Sequence, residues 1–300
     1  MRLRAPVAAA AAVAVALGAA VGVLVARDDE PDPTPTPGPP LGQTELAYLL
    51  TDRFDPIFFC DPDFYPVGSD EGERTNARTW WTSADRDGDE VTTILAHLGL
   101  SGELDDEEAL RAYREHKRLM AIGLEPDGAG LRFALRSGQE QDAVQVTGMI
   151  ARDGTIRTEA QEPANTACPI CLQAGTLIDT PDGRVPIAAL RPGMRVWTAD
   201  EAGLRIEAIV LRTSRRAVGS PSLLVRVTLA DGRNIVASAA HPTADGSHLG
   251  ALLPGGILDG SGVTSVQIVP ASGGVTYDLL PSGPTGSYWA DGVLVGSTLG

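Results

Sequence analysis

The chain reads as two folded domains behind an apolar N-terminal segment: a small α+β domain over residues 42–163 and an all-β domain over 168–300. Three observations carry this reading. A helical signal at 105–120 is followed by alternating apolar runs. From Cys168 onward the texture changes to short β-branched runs separated by Pro-Asp-Gly, Asp-Gly and Pro-Gly turns, with no amphipathic helix between them. The length of 300 residues suits two modest domains better than one core.

Met1-Arg2-Leu3-Arg4 is a short positive flank, followed by an almost purely apolar run over 5–26 and then Arg27-Asp28-Asp29-Glu30. Residues 1–27 are therefore expected to form a signal peptide or membrane anchor, an apolar helix that touches the membrane through 5–26. Either outcome keeps the positive flank in the cytoplasm and delivers the rest outside. Residues 28–41 are a proline-spaced linker with no core-forming residue, expected to be extended and stiff.

Within 42–163, Asp105-Asp106-Glu107-Glu108 open a run through Leu110, Tyr113, Lys117 and Met120, acidic early and basic late as a helix dipole prefers. With 34 Gly and 22 Pro in the chain, turns should be frequent and helices few. Strands are expected at 131–136, 144–150 and 155–158. In the second domain they are expected at 176–180, 185–187, 195–198, 206–212, 223–229, 234–238, 263–269, 275–280 and 293–295. The linker over 159–167 separates the two. Acidic residues outnumber basic ones 39 to 24, giving a formal charge of −15, which excludes a phosphate-binding surface and hence nucleic acid as a partner.

Three cysteines, Cys60, Cys168 and Cys171, leave one unpaired if the compartment is oxidising. Cys171 is then either a free nucleophile or a structural cysteine paired with Cys168 or Cys60. Cys168-Pro169-Ile170-Cys171 has the spacing of a redox pair, but that chemistry wants its first thiol at a helix N-terminus, and Leu172 onward reads as turn and strand. No second cysteine pair exists, and His241 and His248 are too far apart for the usual ligand spacing, so neither metal nor cofactor is expected.

Three blocks carry a family resemblance. Cys171-Leu172-Gln173-Ala174-Gly175-Thr176-Leu177-Ile178 resembles the opening of Hint (Hedgehog/intein-type) domains. Asp231 through Pro242 is similar to the strand ending in Thr-x-x-His that faces the cysteine, with Ser238 in place of Thr. Thr276-Tyr277-Asp278-Leu279 and Tyr288 through Val295 look like the closing strands. The resemblance implies an autoprocessing module with Cys171, Ser238 and His241 as its catalytic set. Cys171 would attack the peptide bond between Ile170 and itself, making the first domain its own substrate. His241 would lend a proton to the departing nitrogen, and Ser238 would hold the peptide in a strained form.

The resulting thioester would be resolved by water or a small nucleophile. No asparagine follows Asn234 to release a spliced product, so splicing is not expected. The β-branched Ile170 would crowd its own carbonyl and slow the step. Cys60 and Cys168 would form a disulfide tying the two domains together even after cleavage. The alternative is a non-catalytic Hint-fold structural or interaction module of a membrane-anchored extracytoplasmic protein.

Overall fold

A computed structural model describes residues 39–65 and 68–299. The apolar run over 5–26 and most of the proline-spaced linker lie outside the described residues. No helix among those described is long and apolar enough to cross a membrane.

The first domain holds four helices, α1 (Gln43–Phe54), α2 (Asp70–Ser83), α3 (Asp89–Leu98) and α4 (Asp106–Met120), where the sequence signals one. Several helix ends are capped by local chemistry. Asp105 accepts from the Glu107 and Glu108 backbone amides while Glu108 reaches back to the Asp105 amide, a capping box at α4. Ser69 accepts from Gly72 at α2, and Gly99, at a φ of 66°, stops α3 in the left-handed region that glycine occupies without strain.

A four-stranded antiparallel meander follows: β1 (Gly123–Asp127), β2 (Gly130–Ser137), β3 (Val144–Ala151) and β4 (Ile156–Pro163). Alternation on β2 turns Leu131, Phe133 and Leu135 inward onto Leu46 and Leu50 of α1, and all five side chains are fully buried. Each stabilises the fold by about 1.5–3 kcal/mol of removed apolar surface.

A second, polar core binds α2, α4 and the segment after Cys60. The Lys117 ammonium, itself buried, lies 2.7 Å from carboxylate oxygens of Asp61 and Asp63 and 3.0 Å from Glu73. Those three carboxylates are grouped closely enough to hold a cation, and Lys117 fills that role. Arg114 adds a forked pair to Glu73. Burial works against ionised Glu73, but Arg114 and Lys117 outweigh it and hold its pKa down.

The second domain is all strands apart from two single 3-10 turns. Its strands are β5 (Leu172–Gln173), β6 (Leu177–Thr180), β7 (Gly183–Pro186), β8 (Arg195–Ala199), β9 (Arg205–Ala217), β10 (Leu223–Leu229), β11 (Asn234–Ala237), β12 (Ile257–Leu258), β13 (Ser261–Pro270), β14 (Val275–Pro281), β15 (Ser287–Ala290) and β16 (Val293–Gly296). They form an eight-stranded sheet ordered β12-β13-β10-β11-β5-β14-β9-β8 and a four-stranded sheet ordered β16-β15-β6-β7.

Leu172, Ile178, Val227, Ile235, Leu279, Tyr288 and Val295 lie in one core spanning both sheets. The β15–β16 hairpin turns at Asp291-Gly292, both at positive φ, and Asp291 accepts the Leu177 amide to fasten the hairpin over β6. The expected strands are present, with β9 longer than its run. Two more, β5 and β12, carry only two residues each and left no pattern to read, and β15 falls in the block Tyr288 through Val295 that resembles the closing strands.

The two domains touch through Ile268 of β13, which packs on Ala77, Leu110 and Tyr113 of α2 and α4. A disulfide joins Cys60 to Cys168. Both cysteines lie upstream of the Ile170–Cys171 bond, which corrects one expectation: the bridge fastens the first domain to its own trailing segment. It cannot link the two sides of a cut at 170–171.

Candidate functional site

Cys171 sits at the entrance to β5, a two-residue strand wedged between β11 and β14: Leu172 is opposite Ala237 on one side and Tyr277 on the other. That placement converges three stretches of chain on one thiol. The turn after β11 brings Ser238, whose amide donates to the Cys171 carbonyl at 3.1 Å, and His241, whose amide donates to the Ser238 carbonyl at 3.0 Å. Strand β14 brings Thr276 and Asp278, two residues apart and thus on one face. The segment after β16 brings Thr298, with its hydroxyl 3.8 Å from the Cys171 sulfur.

The thiol is free and 1% exposed. Burial and then the Asp278 charge push its pKa up to about 11, against partial relief from Thr298, Thr276 and Arg216. At neutral pH the sulfur therefore rests as S–H.

Asp278 is fully buried and well satisfied: its carboxylate accepts from the Leu279 amide, the Tyr288 hydroxyl, and both the amide and hydroxyl of Thr298. Because the Thr298 hydroxyl spends its proton on Asp278, its lone pair is what faces the thiol. Cys171 S–H, Thr298 O–H and the Asp278 carboxylate thus line up as a hydrogen-bonded chain that orients the thiol.

His241 is fully enclosed, its ring edge-on to Tyr288 with centroids 6.4 Å apart. Burial lowers its pKa, while Asp278 and the backbone of Ile170 pull it back in part. The imidazole is thus close enough to Ile170 to feel its backbone, yet neither ring nitrogen has a well-directed hydrogen-bond partner.

Ser238 Oγ and Thr276 Oγ1 are also buried and unpartnered. Four orphaned polar atoms around one thiol are costly, since leaving a buried donor or acceptor unmet forfeits about 1–3 kcal/mol. Each such group calls for an explanation, and here they gather beside a free thiol.

A stability consequence follows from His241. The folded chain holds the ring neutral, whereas the unfolded chain takes up a proton below the ordinary pKa of about 6.5. Stability should fall as pH drops below about 6.5, by at most ~1.4 kcal/mol per pH unit from this residue. Urea unfolding between pH 7.5 and 5 measures the slope, and His241→Gln should flatten it; an unchanged slope would remove the ring from the account.

All three residues singled out by sequence, Cys171, Ser238 and His241, come together here. Sequence reading assigned no role to Thr276, Asp278, Tyr288 or Thr298. A usable signal was present: Thr276 and Asp278 put two polar groups on the buried face of an otherwise apolar strand.

Residues 170–242 match the family model of the Hint domain. The chain thus carries a Hint-family domain, of the Hedgehog/intein type. Solved structures similar to it include the gp41-1 intein (23% identity over 42% of this chain and 97% of that one, TM-score 0.34). A DnaB intein from Synechocystis sp. PCC 6803 is 21% identical over 43% of this chain and 98% of its own, with a TM-score of 0.38. A bacterial intein-like domain from Clostridium thermocellum is 24% identical over 44% and 99%, with a TM-score of 0.37. No curated protein matches the chain.

Proposed function

We propose that the Hint domain cuts the Ile170–Cys171 peptide bond with its own thiol. The observation that carries the proposal is the free, buried Cys171 thiol ringed by unpartnered Ser238, Thr276 and His241 atoms at the start of the second domain.

Cys171 Sγ attacks the Ile170 carbonyl carbon, the carbon–nitrogen bond breaks, and the thiol proton ends on the released amino group of Cys171. His241, near the Ile170 backbone, delivers that proton. Thr298 and Asp278 steer the S–H on the other side. Ser238 Oγ is free to hold the peptide as it distorts. The thioester so formed is resolved by water or a small nucleophile, which takes the acyl group and returns the thiol. Splicing is not part of the proposal, because none of the groups around the thiol is an asparagine amide.

The apolar run over 5–26 with its Arg2 and Arg4 flank supports export, anchored or secreted, and the Cys60–Cys168 disulfide suits an oxidising compartment. A second reading, a Hint fold kept as a non-catalytic interaction module, is favoured by one observation, the thiol pKa of about 11.

Hydroxylamine separates the two readings, since it attacks thioesters and leaves disulfides intact. Incubated with it at pH 7–9, the protein should yield one fragment ending in an Ile170 hydroxamate and one beginning at Cys171, both identified by mass. A chain that stays whole throughout leaves only the non-catalytic reading.

A further inference from the structure

We propose that the first domain is a positioning part of the cleavage site, clamping the segment that carries the acyl group at three points; this rests on the self-cleavage reading. Strand β4 ends at Pro163, and only seven residues separate it from Cys171. Within that stretch the Ala164 amide donates to the Ala143 carbonyl at 2.9 Å. Arg136 of β2 donates to the Asn165 carbonyl at 3.2 Å. Cys168 is bonded to Cys60. Ala167 donates to the Asn165 side chain, folding the stretch into a local turn between two of these anchors. Past Cys168 only Pro169 and Ile170 remain before the scissile bond, and Pro169 has a fixed φ.

Arg136, whose guanidinium also lies 5.0 Å over the Phe58 ring, is the central element of the clamp. It is fully buried, and no carboxylate among the described residues pairs with it. Its second nitrogen donates to the Pro221 carbonyl of the Hint domain at 2.6 Å, so one guanidinium grips the trailing segment and the second domain at once. A β-carbon at Gly219 would stand 2.2 Å from both the Arg136 guanidinium and the Asn165 carbonyl, so the backbone there is bared to let the three meet. Burial alone lowers the arginine's pKa to about 10, and its two terminal nitrogens are spent on the Asn165 and Pro221 carbonyls. Holding a reacting carbonyl in register with its nucleophile is worth orders of magnitude in rate, and a displacement of about 1 Å can cost 10²-fold.

The clamp is tested by hydroxylamine-driven cleavage of the whole protein, with the rate followed from pH 6 to 9. Arg136→Met and the double variant Cys60→Ser/Cys168→Ser should each lower the rate by about tenfold or more at every pH, leaving the shape of the profile unchanged. Arg136→Lys should recover part of the loss, because an ammonium can still reach one of the two carbonyls. A phosphine reductant added to the unmodified protein should reproduce the double variant's rate and leave that variant itself unaffected.

Should Arg136→Met fail to fold, the disulfide variant and the reductant decide. Folded variants that cut at the unmodified rate, with no response to the phosphine, overturn the clamp and leave self-cleavage standing. An unmodified protein that is never cut removes the self-cleavage reading and the clamp together.

Discussion

Cys171→Ala should leave the chain whole in hydroxylamine, with cleavage lowered at least ~10³-fold, because the nearby Ser238 and Thr298 hydroxyls are far weaker nucleophiles than a thiol. The unmodified rate should be flat over a wide pH range, for a reason that follows from the two pKa directions. At neutral pH the resting site holds S–H, pushed up to about 11, and a neutral His241, pushed below its ordinary value. Moving the sulfur's proton to the imidazole and on to the leaving nitrogen requires no net gain or loss of a proton. As pH rises the thiolate becomes commoner and the imidazolium rarer by the same factor, so their product holds level between the two pKa values.

Below the lowered pKa of His241 the ring rests protonated and the rate should fall tenfold per pH unit. His241→Gln removes the compensating group. Its rate should be far lower at pH 7 and climb tenfold per unit toward about 11, tracking the thiolate. Measured with hydroxylamine saturating, so that thioester formation limits, a level profile in the His241→Gln variant would show that the imidazole carries no proton in the reaction. A rate in the unmodified protein that falls steadily above pH 7 would instead assign the thiol's proton to Asp278, with imidazolium as the acid.

The parts of this site that the sequence displayed and the parts it hid differ for a physical reason. Cys171 and the Ser238-x-x-His241 turn belong to short local blocks, and a turn of four residues fixes its own geometry through the His241 amide on Ser238. Asp278 and Thr298 reach the thiol only because β14 pairs with β5 across more than a hundred residues and Asp278 then holds Thr298, and no local pattern encodes that.

The same distinction separates the helices of the first domain. Helix α4 has a capping box and a charge gradient readable in sequence. Helix α2 is Asp-Glu-Gly-Glu-Arg-Thr-Asn-Ala-Arg-Thr before its tryptophans, without an apolar stripe, and is held by ion pairs to α4 from Glu73, Arg74 and Arg78. Tertiary contacts override a weak propensity there. The histidines follow suit. His97 stays exposed and stacks on Tyr48 at 3.8 Å, whereas His116 is half-buried and bonds Glu90 at 2.7 Å, contacts with neighbours distant in sequence.

Lys117→Met should be the most destabilising single change in the first domain, by roughly 3–5 kcal/mol. Its ammonium is 1% exposed, with carboxylates of Asp61, Asp63 and Glu73 on it and the rings of Tyr113 and Phe64 at 4.9 and 5.7 Å. Methionine fills the space but removes the only cation among the described residues that reaches Asp61 and Asp63, and unpaired carboxylates there cost far more than the lost attraction alone. Arg114 still serves Glu73, so the loss concentrates on the segment just after Cys60.

Neutralising that segment as well, in Lys117→Met/Asp61→Asn/Asp63→Asn, should recover a large part of the stability even though more native groups are gone. Urea unfolding followed by circular dichroism measures both, and the single variant should melt lower by about 10 °C. A single-variant loss under about 1 kcal/mol would mean that water reaches the cluster and screens it. Because Asp61 directly follows Cys60, loosening this core also slackens the disulfide end of the clamp. The single variant should therefore cut more slowly at temperatures where it is still folded, and the triple variant should regain rate in step with stability.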